Sequence, residues 1–326
     1  MPIIKGRTTK RRIIVTVIIA VISILLIVSV GAAIYLFDYA IVRKPPLSND
    51  SASNELNNIS GVMAQSRIDG QAWMDENAAQ RLTLTAEDGV ELVGYYVAAT
   101  EPSDKLTVLV HGHRSNATMM GNFARIYHDD GFHVFMADAR GHGESDGRFV
   151  GMGWLDRRDY IGWLNLLIEK IGEDSRIVLH GVSMGGATVM MMSGEDDLPT
   201  QVKSIISDCG YSSVYEQFHY QITELFNLPT FPILNIADIQ TRILAGYGFR
   251  EASALEQVKK TSVPIFFIHG DIDAYNPTYM AYSLYEAAAG EKELWIVQNA
   301  NHGMAYYIDP SEYANRIRAF YGRYLE

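Results

Sequence analysis

Hydrophobic and polar positions divide this chain into two unlike parts. Residues 13–37, IIVTVIIAVISILLIVSVGAAIYLF, carry no charged side chain over 25 positions. As a helix this run is about 37 Å long, enough to cross the hydrocarbon layer of a bilayer. From Arg81 onward the pattern changes to short apolar runs of strand length, at 81–86, 90–98, 105–111, 132–137, 175–180, 202–208, 263–269 and 292–298, with helical stretches between them. Strands buried on both faces read as continuous apolar runs. The alternation therefore predicts a mostly parallel eight-stranded sheet with helices on both faces, its first strands forming an antiparallel edge. Between the two parts, Arg43 to Ser60 is rich in Pro, Ser and Asn and reads as a solvated tether. Residues 61–80 carry a weak helical pattern leading into the second part.

One stretch breaks the alternation. Residues 211–253 are longer than an ordinary strand-to-strand connection. Val214, Phe218, Ile222 and Leu225 or Phe226 recur at helical spacing, as do Ile236, Ile239 or Gln240, and Ile243 beyond Pro229 and Pro232. This predicts a two-helix cap whose apolar faces cover whatever site lies beneath.

The candidate chemistry centres on residues 177–187, IVLHGVSMGGA. A strand-like run breaks into Gly181-Val182-Ser183-Met184-Gly185 and continues into small, helix-compatible residues. In this arrangement a serine sits on a tight strand-to-helix turn, its flanking glycines allowing approaches that a Cβ forbids. The start of the next helix and the Met184 amide then lie beside the reacting oxygen, where they can stabilise an oxyanion. A serine hydroxyl needs a base to take its proton and a third group to orient that base. The order in chains with this turn is Ser, then acid, then His. Of the nine histidines, three follow Ser183: His219, His269 and His302. His219 lies in a helical pattern and His269 ends an apolar strand. His302, in the loop 299–303 after a strand-like run, is the candidate base. HGDIDAYNP at 269–277 offers Asp271 and Asp273 as the acid; Asp273 is favoured, with Asp271 read as a turn-forming side chain.

From about Arg81 to its end the chain resembles the α/β-hydrolase-fold serine hydrolases. More narrowly, it resembles bacterial membrane-anchored or secreted hydrolases grouped with lysophospholipase-like, cinnamoyl-ester-hydrolase-like and prolyl-oligopeptidase-like enzymes. VLVHGHRSN at 108–116, DARGHGESDG at 138–147, GVSMGG at 181–186, IHGDIDAYNP at 268–277 and NANHG at 299–303 carry the likeness, in that order. It implies an oxyanion hole made by the backbone amides of His113 and Met184, and structural roles for His111 and His142 in loops beside the site. It implies no cofactor and no metal. The family often has Val where this chain has Asn276, so the acid loop departs locally. Asp138 and Arg140 read as loop braces, and Cys209 as a small buried side chain.

Charge and topology narrow the rest. The chain has 27 Lys and Arg against 38 Asp and Glu, a formal net charge of −11. Lys5, Arg7, Lys10, Arg11 and Arg12 all precede the apolar run, so the remainder carries −16. Nucleic acid is excluded as a partner, and capture of anionic headgroups is disfavoured. The basic cluster predicts a cytoplasmic N-terminus at 1–12, a transmembrane signal anchor at 13–37, and everything beyond it outside the cell membrane. A cleaved signal peptide with its processing site near Gly31 to Ala33 is the alternative. A tether and lead-in at 38–80 and a hydrolase domain at 81–326, capped at 211–253, complete the expected organisation. The expected activity is ester hydrolysis on a small-molecule ester or peptide-like substrate. A peptidase or amidase of the same fold, and a catalytically silent surface binding protein, are the alternatives.

Overall fold

The computed structural model of the chain describes residues 4–44, 54–225 and 227–325. Half of the expected tether, residues 45–53, and the cap position Phe226 lie outside the described residues, and the end of that tether, from Asn54, belongs to a helix instead. The strands are β1 (Gln80–Thr85), β2 (Glu91–Val97), β3 (Lys105–Val110), β4 (His133–Asp138), β5 (Arg176–Val182), β6 (Val202–Asp208), β7 (Ile265–Gly270) and β8 (Lys292–Val297). They form one sheet in the order β1-β2-β4-β3-β5-β6-β7-β8. β1 and β2 pair antiparallel with each other, β2 pairs antiparallel with β4, and the remaining neighbours are parallel. This is the α/β-hydrolase fold expected from the sequence. The central strands read as unbroken apolar runs because both their faces are covered, whereas β1 at the edge alternates between exposed and half-buried positions.

The helices are α1 (Ile4–Ala40), α2 (Asn54–Glu76), α3 (Gly121–Asp129), α4 (Asp156–Ile171), α5 (Met184–Met192), α6 (Val214–Tyr220), α7 (Ile233–Leu244), α8 (Ala254–Val258), α9 (Tyr279–Ala287), α10 (Ala305–Ile308) and α11 (Pro310–Tyr321). One apolar layer joins α4 and α5 to the sheet through Trp163, Leu164, Val189 and Phe135. The other joins α3 and α11 to the opposite face through Phe123, Tyr127, Tyr313 and Phe320. From β3 the chain moves out to β4 on one side and then crosses back to β5 on the other. Neighbouring connections diverge there, leaving a crevice at the carboxyl ends of β3 and β5 where α/β sheets place their ligands.

α1 is long and apolar enough to span a membrane, with a mean hydropathy of 3.3 over its most apolar window. Its surface changes character along its length. Residues from Arg11 to Val28 are exposed, whereas Ala33, Leu36, Phe37 and Ala40 are buried against the rest of the protein. The segment that follows is docked as well. Val150 donates its amide to the Ile41 carbonyl at 2.8 Å, Arg43 donates its amide to Arg148 at 2.9 Å, and the Arg43 guanidinium reaches the carbonyls of Gly143 and Ser145. The lead-in expected from residue 38 is thus fastened to the domain as far as Arg43.

The cap also differs from expectation. α6 and α7 are both present between β6 and β7, but the inward face of α7 is Ile233, Leu234, Ala237 and Thr241. Ile239 and Ile243, expected to cover the site, point into solvent. Helical periodicity marks a stripe without saying which of two apolar stripes faces in, and here the 233/234/237/241 set is the one that meets the core.

At the start of α4, Arg140 donates to Asp159 at 2.6 and 2.7 Å and to Asp88 at 2.7 Å, so it braces the 138–147 loop as the sequence suggests. Asp156 lies fully buried beside this pair, accepting only the Gly153 amide at 2.7 Å while its second oxygen has no partner. Burial, reinforced by the Asp159 charge, pushes the Asp156 carboxyl up to about 7. The folded state therefore holds a proton that the unfolded chain releases at lower pH. Stability from this group is present in acid and is lost as pH rises from the ordinary aspartate range through about 7. Asp156→Asn should accordingly gain melting temperature relative to the native chain between pH 5 and pH 8. Parallel pH dependence of the two proteins would contradict this.

Candidate active site

β5 ends in the crevice, and the next residue, Ser183, takes φ 58° and ψ −116°. That is an unfavourable backbone conformation for a residue with a Cβ. The turn fits because its neighbours are small. A Cβ on Gly181 would lie 2.1 Å from the Gly185 carbonyl oxygen, and one on Gly185 would lie 1.9 Å from that of Val110. Ser183 donates its amide to the Asp208 carbonyl at 2.8 Å, tying the turn to β6, and its own carbonyl accepts from Ala187 in α5. Its hydroxyl is consequently aimed above the sheet. Met184 opens α5, so its amide is among those that have no partner within the helix. Gly112 packs against Ser183, with room for a Cβ only 3.3 Å from that of the serine, and this brings the 112–113 backbone to the same spot.

The Ser183 hydroxyl donates to Nε2 of His302 at 2.8 Å, and Nδ1 of His302 donates to Oδ2 of Asp273 at 2.8 Å. His302 is held by its own loop, its amide donating to the Asn301 side chain at 2.7 Å. Oδ1 of Asp273 accepts the amides of Tyr275 and Asn276 at 2.9 and 2.8 Å. Burial opposes the charge on Asp273, but the His302 and His269 imidazoles outweigh it and hold the carboxyl well below the usual range. Asp271 donates its backbone amide to the Val297 carbonyl, while its Oδ1 is buried without a hydrogen-bond partner and it is Asp273 that pairs with His302.

Three side chains that the sequence left aside support this acid. His269 lies 3.3 Å from Oδ2 of Asp273 and donates to the Asn276 carbonyl at 2.7 Å. The four-residue spacing between His269 and Asp273 was the available signal. Asn276 is fully buried, accepting from Gln217 of α6 at 2.8 Å and donating to the Cys209 carbonyl at 2.7 Å. The residue that departs from the resembled pattern thus ties the acid loop to the cap. Tyr275 packs its ring on His302, the centroids 4.9 Å apart.

The remaining histidines near the site are occupied by backbone. His111 accepts the Ala139 amide and donates to the Gly112 carbonyl. His142 accepts the Arg114 amide and donates to the Arg140 carbonyl. His113 donates to the Ala40 carbonyl, at the end of α1, at 2.9 Å, and burial lowers its imidazole to about 4, leaving it neutral. Asp138 accepts the amides of Ala117 and Glu144 and so braces its loops. Cys209, Asp273 and His302 place ligand-type atoms within 4.8 Å of one another. The imidazole already spans Ser183 and Asp273, and burial pushes the Cys209 thiol far up, so it stays protonated. That donor set suits proton relay better than metal binding.

A narrow cavity opens at Ser183, lined by Tyr39, Ala40, His113, Met152, Met184, Tyr211, Gln217, Phe218, Gln221 and Tyr275. Nothing in the sequence signalled Tyr39 and Ala40, which come from the end of the apolar helix. A wider, open depression lies at the amino ends of β3 and β5, on the opposite edge of the sheet from Ser183.

With this geometry in place, comparison with known proteins adds the following. Residues 101–226 match the family model described as serine aminopeptidase, S33. The uncharacterized protein YqkD of Bacillus subtilis is 30% identical over 232 residues, covering 71% of this chain and 75% of YqkD. Among solved structures, a Pyrococcus furiosus esterase superposes with a TM-score of 0.64 at 20% identity, over 88% of this chain and 99% of the esterase. The acylaminoacyl peptidase of Pyrococcus horikoshii does so with a TM-score of 0.57 at 18% identity, over 76% of this chain and 41% of the peptidase.

The bonds of Asn276 set up a stability test. Asn276→Val would leave the Gln217 amide and the Cys209 carbonyl unpartnered in a buried place, at a cost of about 1–3 kcal/mol for an unsatisfied group. Denaturant unfolding should show a loss of that order. Unchanged stability would mean that the acid loop does not depend on this link.

Proposed function

We propose that this chain, which belongs to the α/β-hydrolase family together with YqkD, is a membrane-anchored serine hydrolase that cleaves carboxylic esters through an acyl-enzyme. The hydrogen-bonded series Ser183, His302 and Asp273 at the carboxyl edge of the sheet carries this reading. His302 takes the proton of the Ser183 hydroxyl as Oγ attacks the ester carbonyl. Oxyanion charge develops beside the amides of Met184 and His113, whose donors are fixed before the reaction begins. His302 then returns the proton to the departing alcohol. Water repeats the sequence on the acyl-enzyme to release the acid and restore the serine. Asp273, held ionised, keeps the His302 proton on Nδ1 and offsets the imidazolium charge.

Both an esterase and a peptidase share this fold with the chain, and the cavity favours the ester. Among the described residues that line it, none carries a carboxylate to pair with the α-ammonium of a peptide. A neutral acyl group suits a lining that includes Met152, Tyr211 and Phe218.

Anchoring is supported by the exposed apolar surface of α1, and the basic cluster ahead of it favours an orientation with the domain on the outer face of the cell membrane. Cleavage near Ala33 is disfavoured because Ala33 is already buried against the folded domain.

Ser183→Ala should lower hydrolysis of a soluble p-nitrophenyl ester by at least about 10⁴-fold while leaving circular dichroism unchanged. Asp273→Asn should lower turnover by about 10³- to 10⁴-fold through loss of His302 orientation. Asp271→Asn should change it little, and the reverse ranking would move the acid to Asp271. Retained ester turnover in folded Ser183→Ala would overturn the mechanism, and faster cleavage of aminoacyl p-nitroanilides than of matched esters would favour a peptidase. A silent binding protein would turn over neither substrate.

A further inference from the structure

The cap presents an apolar surface that the reaction does not use. Ile239 and Ile243 on α7 are 56% and 74% exposed, Leu244 ends the same helix exposed, and Phe231 in the preceding loop is 76% exposed. These side chains are too many and too close in sequence to be incidental surface residues. The opposite face of α7 is committed to the core through Leu234, Ala237 and Thr241. α7 also packs on α1, so its outward face continues directly from the anchor.

The length of α1 sets the depth of that contact. Twenty residues of helix rise about 30 Å, the thickness of the hydrocarbon layer. Counted from Ile13, that distance ends near Ala32, and Ala33 is the first fully buried residue of the docked segment. The helix runs unbroken from Ile4 to Ala40, so no flexible spacer lifts the domain away. Tyr35 and Tyr39, both exposed and with ring centroids 6.1 Å apart, fall just beyond this point, where aromatic side chains sit at a membrane boundary. Tyr39 and Ala40 also line the cavity at Ser183.

We infer that the outward face of α7 and the Phe231 loop lie in the outer surface of the bilayer that α1 crosses, and that the site draws its substrate, a neutral or zwitterionic acyl ester, from that leaflet. This rests on the anchored-esterase reading. A bilayer is the fitting occupant because the face is continuous with the lipid-facing surface of the anchor. The headgroup is assigned as neutral or zwitterionic because the part of the chain beyond the basic cluster carries −16 and repels anions.

The test uses the full chain reconstituted in phosphatidylcholine vesicles. Ile243→Cys labelled with nitrobenzoxadiazole should be quenched by phosphatidylcholine carrying a nitroxide near its headgroup. The same label on Glu101→Cys, in the loop leading to the opposite edge of the sheet, should not be. Cys209 is buried and stays unlabelled. The double variant Ile239→Glu, Ile243→Glu should hydrolyse a medium-chain ester embedded in the vesicles about tenfold more slowly, through lost interfacial burial, while its rate on soluble p-nitrophenyl acetate is unchanged. An unquenched label at 243, or equal rates on the embedded ester, would overturn the inference even if the chain is an esterase. Quenching needs no turnover, so a quenched label on a chain that cleaves no ester would support the membrane surface and sink the esterase reading instead.

Discussion

A serine held at φ 58° between β5 and α5 costs about 1–3 kcal/mol of backbone strain, which only the surrounding packing can sustain. That packing is supplied from several directions. Every residue of α5 is buried, Gly185 lies against the β3 carbonyl of Val110, and the Ser183 amide is fixed to Asp208 of β6. The turn is therefore built into β3 and β6, the two strands that flank β5. Loosening either strand would let the serine relax and lower its hydroxyl toward the sheet.

The other parts of the site are referred to β5 and the same two neighbours. Beneath the crevice, His180 of β5 bonds to the hydroxyls of Tyr127 and Tyr313, and Tyr313 donates to Asp208. Burial keeps this imidazole neutral by lowering it to about 3, so it braces the two tyrosines without adding a positive charge. Above it, Asn276 links the acid loop to Cys209, the residue after β6, and to Gln217 in the cap. His113 joins the opposite wall to the end of α1. Ser183, His302, Asp273, the cap and the end of α1 are thus connected by short hydrogen-bonded steps, and a shift in the cap or in α1 is felt at the cavity.

Legibility in the sequence followed the range of the interactions involved. All eight strands are readable, because apolar runs bounded by turn residues record burial on two faces locally, and their ends agree to within two residues. The elbow is readable because glycine spacing records a local backbone demand. The segments of Asp273 and His302 are readable as loops after strands. What the sequence does not reveal is orientation. The apolar side chains of α1 look alike whether they meet lipid or the domain, so its docked end at Ala33 to Ala40 has no signature of its own. For the same reason the period of α7 marks Ile239 and Ile243 without showing that they face outward. Asn276 and His269 acquire their roles only when the loop folds back on Asp273, a tertiary contact that no spacing rule encodes on its own.

The account turns on Ser183 being the atom that carries the acyl group. The most direct measurement is to quench the full-length protein in acid during turnover of a slowly deacylated p-nitrophenyl ester and locate the adduct by peptide mass spectrometry. The account predicts a single acyl group per chain, on the hydroxyl of Ser183. An adduct on Cys209 or any other residue, or product release with no covalent adduct under conditions where acylation outpaces deacylation, would contradict it.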